Sequence, residues 1–166
     1  MSQLKVNSIV PVGGLPSGAN GGIIQTIQTF KGDTTTTTSS SFVDISGMSA
    51  TITPSSNSNK VLVRFTLHIS TGTGPVVLVN LLRGTTNIAQ PTVTDIHPST
   101  LQLWADADHM ITQTYEFLDS PATTSATTYK LQWRNHTGSF TAKLNGYFGN
   151  TNYNVTSTMT LQEITT

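Results

Sequence analysis

The chain has 166 residues, a length suited to one domain with a real core. Only 10 % of them are charged, against about a quarter in ordinary domains, and the formal net charge is zero, so there is no basic footprint for nucleic acid. There is no cysteine, which excludes a disulfide framework and any cysteine-based metal site. No run of about 18 apolar residues exists to span a membrane. Lys5 is followed by no apolar stretch of secretory-signal type. A chain this poor in charge is weakly protected against association, which favours a life inside an assembly.

Met1–Val10 reads as a short extended arm carrying Leu4, Val6 and Ile9. Pro11–Gly22 follows, holding Val12 and Leu15 among five glycines and two prolines, a composition that makes a linker rather than a packed element. An apolar arm ahead of a flexible linker is a way to grip a neighbour, so Leu4, Val6, Ile9, Val12 and Leu15 are the candidate partner-binding residues. The plainer alternative is a frayed terminus. The division expected is an arm and linker over 1–22 and a folded body over 23–166.

Ile23–Phe30 has the alternation of a first strand. The Thr/Ser run Thr34–Ser41 reads as an exposed loop or a polar edge strand. Phe42–Ile45 and Met48–Thr53 read as two short strands around a Ser46-Gly47 turn, with Ser55–Asn59 as a loop. The centre of the pattern is Lys60–Arg83. Val61, Val63, Phe65, Leu67 and Ile69 fall on one face of a strand, and Leu62, Arg64, Thr66, His68 and Ser70 on the other. After a glycine-rich turn, Val76–Leu82 is apolar on both faces except at Asn80. A strand apolar on both faces needs a cover on each side. One cover is the facing sheet; the second is expected to be a sister chain, which marks Leu62, Val76, Leu78 and Leu82 as candidate oligomer-interface residues.

Gly84–Asn87 reads as a turn, and Ile88–Pro98 as irregular, broken by Pro91 and Pro98. Leu101–Trp104, His109–Leu118, Thr127–Arg134, Ser139–Tyr147 and Tyr153–Ile164 complete the strands. In the third of these, Tyr129, Leu131 and Trp133 point inward. Helix signals are almost missing. Nine or ten strands with a turn every 8–12 residues predict an all-β fold, a jelly-roll-like antiparallel β-sandwich with an extended N-terminal arm.

Chemistry-bearing residues are sparse. Asp106, Asp108 and His109 form the sole acid–histidine cluster. A D-x-D loop could start a calcium site, and paired carboxylates could serve glycoside hydrolysis; the alternative is a solvated polar loop. The calcium reading lacks further ligands beyond Asp95 and Glu116, and the hydrolase reading lacks the length of a spike depolymerase. His68, His97 and His136 have no metal-ligand spacing, and there is no serine-hydrolase elbow or phosphate loop. Trp104, Trp133, Tyr115, Tyr129, Tyr147 and Phe148 could line a sugar-binding surface, although aromatics on alternating strands more often fill a core. The expectation is a protein without enzymatic activity, metal or cofactor.

Leu4-Lys5-Val6-Asn7-Ser8-Ile9, Pro11-Val12-Gly13-Gly14 and the glycines before Ile23-Ile24-Gln25 form one recognisable stretch. Ser41-Phe42-Val43-Asp44-Ile45, Ile52-Thr53-Pro54 and Asn59-Lys60-Val61-Leu62-Val63 form a second, and Ser157–Ile164 a third. In this order and spacing they resemble tail-fibre-like and other virion structural proteins of tailed bacteriophages, especially marine and cyanobacterial phages. The resemblance implies a trimeric jelly-roll module on the exterior of a virion, with no catalytic or ligand residues to carry over. The function expected is therefore a homotrimeric, tail-fibre-like structural module attached to the particle by its arm. A capsid decoration (cement) protein and a host-glycan-binding module are the alternatives. Its expected partners are itself and other virion proteins, tail or capsid, with a host surface glycan as a further one.

Overall fold

A computed structural model describes residues 22–72, 76–92, 97–104, 109–138, 140–149 and 152–166. The candidate arm residues Leu4, Val6, Ile9, Val12 and Leu15 lie outside the described residues, as do Asp95, Asp106 and Asp108. The described chain is all β. Its strands are β1 (Ile23–Lys31), β2 (Thr35–Thr37), β3 (Val43–Ile52), β4 (Lys60–Thr71), β5 (Val76–Arg83), β6 (Thr86–Asn87), β7 (Leu101–Trp104), β8 (Met110–Asp119), β9 (Thr127–Asn135), β10 (Ala142–Leu144) and β11 (Ser157–Ile164).

Two antiparallel sheets pack face to face. In one, the long strands run β1-β11-β4-β8, with β10 and β2 continuing beside β4 past the end of β11. In the other they run β3-β9-β5-β7, with the short β6 also on β5. First strand beside last in one sheet, and second long strand beside second-to-last in the other, is the interleaving of a jelly roll. The central sequence segments β4 and β5 are not neighbours. Each is the middle of its own sheet.

The core forms where the inward rows of the two sheets meet. Val61, Val63, Phe65, Leu67 and Ile69 of β4 face Val77, Val79 and Leu81 of β5, with Tyr129, Leu131 and Trp133 of β9 and Met159 and Leu161 of β11 in the same cluster. All are buried. Strict alternation is what lets one strand feed this layer while its other row meets water.

Four local readings change, the smallest being that Thr86–Asn87, read as part of a turn, is the short strand β6 on β5. Phe42–Ile45 and Met48–Thr53 are one strand, not two. Between Asp44 and Ser49 five steps of β3 oppose only two of β9, from Gln132 to Lys130. This bulge switches the inward residues from Ile45 to Met48, Ala50 and Ile52, and Gly47 at φ +79° makes the kink that a side chain would strain. Ser139–Tyr147 shrinks to three strand residues, because Asn145 turns into the left-handed region at φ 60° and gives its N–H to His68 O. The last strand begins at Ser157 rather than Tyr153.

The outer row of β5 also differs from expectation. Val76, Leu78 and Leu82 are 6, 0 and 4 % exposed within a single chain. The described part of the connection from β6 to β7 is tied to β5: Gln90 Nε2 donates to Asn80 Oδ1 at 3.0 Å and to Pro98 O at 3.4 Å, and the Leu81 N–H donates to Thr100 Oγ1. That row is buried within the single chain, so its apolarity does not call for a second copy. Leu62, on the outer face of the other sheet, is half-buried and pairs with Leu118.

Candidate functional site: a tryptophan-walled cleft

Strand pairing builds a cleft on the outer face of the β7-β5-β9 triplet. Two cross-strand rows lie side by side. In one, Leu78 sits between Gln102 of β7 and Arg134 of β9. In the other, Val76 sits beside Trp104 of β7, and His136, just past the end of β9, donates its N–H to Val76 O. His97, from the connection between β6 and β7, completes the enclosure. Val76, Leu78, His97, Gln102, Trp104 and His136 line a cavity of about 270 Å³. Its floor is apolar and its rim polar, the composition of a small-molecule site at the small end of the usual size range.

The polar rim is internally ordered. Gln102 Nε2 donates to His97 O at 3.1 Å. Arg134 Nη2 lies 2.9 Å from His97 Nδ1, and His97 Nε2 lies 2.9 Å from His136 Nε2, with the two rings edge to face. A guanidinium is only a donor, so His97 Nδ1 accepts. In neutral His97 the proton then sits on Nε2 and is donated to His136 Nε2, leaving the His136 proton on Nδ1. A metal ion between the two Nε2 atoms would need His97 Nε2 deprotonated, which the arginine contact opposes. Arg134 is itself held from behind, over the Phe42 ring at 5.2 Å and by Nη1 contacts to Ser40 O and Asn135 O.

Trp104 is 67 % exposed, whereas Trp133 is 1 % exposed in the core. Of the two tryptophans weighed as a sugar platform, one is available. Among the described residues no group of three His, Asp or Glu could hold a metal ion. The described cleft side chains include no carboxylate and no nucleophile–base pair. What they can do is bind. The pairing of His97 with His136 carried no signal in the sequence, because residues 39 apart are brought together only by the sheet and the connection from β6 to β7.

The other buried titratable groups are structural. Glu163 Oε1 accepts from the Ser55 N–H, Ser55 Oγ and Asn59 Nδ2 at 2.6–2.8 Å. Burial raises this carboxyl, but those donors outweigh it and hold its pKa below the ordinary value. Tyr129 donates its hydroxyl to Asp119 Oδ2 at 2.6 Å, and Asp119 also accepts from Arg83. Burial first, then the Asp119 carboxylate, push the Tyr129 phenol well above its ordinary pKa. A wider hollow of about 550 Å³ lies against Met110, Tyr147, Tyr153 and Val155; it is open, and among the described residues no charged side chain lines it.

No family model matches the chain, and no curated protein matches it. Among solved structures it is similar to a subunit of Bacillus endospore appendages, described as disulfide-linked pili, at 16 % identity and a TM-score of 0.31, covering 92 % of this chain and 98 % of that one. A likeness of that size carries no argument, and this chain has no cysteine with which to form such links.

Proposed function

We propose that the protein is a non-enzymatic structural component of a tailed-phage virion: a tail-fibre-like module that assembles as a homotrimer on the outside of the particle and is fastened to it by residues 1–22. The resemblance of its two ends and its middle to such proteins supports this reading, as does the low charge. The observation that carries it is a set of exposed apolar side chains spread across the β1-β11-β4-β8 sheet near Gly22, with Lys60 and Gln162 between them. Gly22 and Thr165 exchange hydrogen bonds there. Ile23, Ile24 and Leu118 are about half exposed, at 55, 50 and 48 %, beside half-buried Leu62 and Ile164. Ile23 pairs with Ile164, and Leu62 with Leu118. A lone domain gains nothing by exposing such a set, whereas sister chains and a leader would cover it.

Light scattering on the full chain at micromolar concentration tests the reading. The expected mass is three times 17.7 kDa, falling to one with Leu118→Lys while circular dichroism stays unchanged. A monomeric native chain refutes it. Antibody labelling of intact particles separates a tail position from the capsid-decoration alternative.

A further inference from the structure

We propose that the cleft between Trp104 and the His97–His136 pair binds one neutral pyranose ring of a surface glycan. The inference goes beyond the structural role above and does not depend on it. An indole left 67 % exposed at the wall of a cavity is a platform looking for a flat, weakly polar face. The C–H face of a pyranose is such a surface, while its edge is ringed with hydroxyls that need donors and acceptors. The cleft supplies both parts. Trp104 offers the stacking face, Val76 and Leu78 the apolar floor, and Gln102, His97 and His136 the polar rim. A volume of about 270 Å³ suits one ring and little more.

Two observations set the chemistry of the ligand. Among the described residues Arg134 is the fixed charge beside the cleft, and three of its five N–H donors are engaged: both of Nη1 toward Ser40 O and Asn135 O, and one of Nη2 toward His97. With both Nη1 hydrogens turned to carbonyls, the end-on Nη1/Nη2 fork is closed to a carboxylate or phosphate, which favours a neutral sugar. A second protein copy is a poorer fit. Among the described residues Trp104 is the exposed large apolar side chain on this outer face; Val43, in the same sheet, lies on β3 opposite the inward Trp133, and the others lie on the opposite sheet or around its end. A stable interface would need a broader patch, about 1,000 Å² or more.

The test uses the full chain and methyl pyranosides of gluco, galacto, manno and N-acetylglucosamine configuration, followed by saturation-transfer NMR and tryptophan emission. At least one glycoside is expected to bind in the millimolar range and to shift the emission of the exposed tryptophan to the blue. Trp104→Ala should weaken that binding at least about tenfold. Trp104→Phe should restore part of it, and Thr114→Ala on the far sheet should leave it unchanged. The proposal is overturned if no glycoside binds up to about 100 mM, or if Trp104→Ala binds as well as the native chain. It is equally overturned if Trp104→Ala changes the oligomeric mass while no sugar binds, because the cleft would then be a contact between copies. Mass and sugar binding are read separately, so failure of the trimer leaves this result standing, and the reverse.

Discussion

Asn145 ties the end of the sandwich together, and replacing it with alanine should be among the most damaging single changes to this chain. The residue is fully buried and sits at φ 60°. Its Nδ2 donates to Lys31 O at 2.9 Å and Asp33 O at 3.1 Å, and its Oδ1 accepts from Ser157 Oγ at 2.6 Å. One side chain thus links the end of β1, the start of β11 and the bend after β10. Asparagine tolerates the left-handed region, and alanine there costs about 1 kcal/mol. Asp33 is exposed, so its carbonyl can turn to water. The Lys31 carbonyl and Ser157 hydroxyl belong to buried residues; the hydroxyl keeps the His68 N–H at 3.3 Å but loses its acceptor, and each loss costs about 1–3 kcal/mol. The sum for Asn145→Ala is about 3–7 kcal/mol, and Tm should fall by about 6–28 °C. Urea unfolding followed by the fluorescence of buried Trp133 measures it. The double variant with Ser157→Ala isolates the hydrogen bond. With the hydroxyl already gone, Asn145→Ala should cost about 1–3 kcal/mol less than it does alone. A loss below about 1 kcal/mol, or additivity within about 0.5 kcal/mol, would refute the reasoning.

Glu163 makes stability pH-dependent in a definite direction. Its folded pKa lies below the ordinary 4.5, so its contribution is complete above that pH and is lost as pH falls through the folded value. Glu163→Gln should therefore be destabilised relative to the native chain at pH 7, with the gap narrowing below pH 4.5 in thermal melts; a gap constant down to pH 3 would contradict the assignment. Tyr129 predicts the opposite limb. Its raised pKa adds stability below the ordinary value of 10 that disappears as pH climbs beyond it. Of the four tyrosines, one should resist ionisation in a titration followed at about 295 nm until the chain unfolds. In Tyr129→Phe that late step should be missing, and its persistence would show that another tyrosine is the protected one.

Much of this architecture could be read from residue order, and the legible parts share one cause. A strand with one wet face writes its burial as a period of two. The inward rows Val61–Ile69 and Tyr129–Trp133 were therefore plain, and the count of strands and turns pointed to a two-sheet sandwich. Where a strand departs from that period, the reading failed. The bulge at Gly47 looked like a turn because it shifts the inward parity of β3. The break after Leu144 was hidden because Asn145 at φ 60° is held by Ser157 and by Lys31 and Asp33, the last two more than 100 residues away in sequence.

The cleft belongs to the second kind. Its members come from β5, β7, the end of β9 and an irregular connection, and they meet only because the jelly roll sets β9 and β7 on either side of β5. The same holds for the outer face of β5. Apolarity on both sides of Val76–Leu82 correctly announced two covers, but sequence carries no record of which segment supplies the second one. Local pattern encodes how each residue relates to water, because that depends on its own strand. Which residues face one another across strands depends on the order of strands in the sheets, and that is decided only when the whole chain packs.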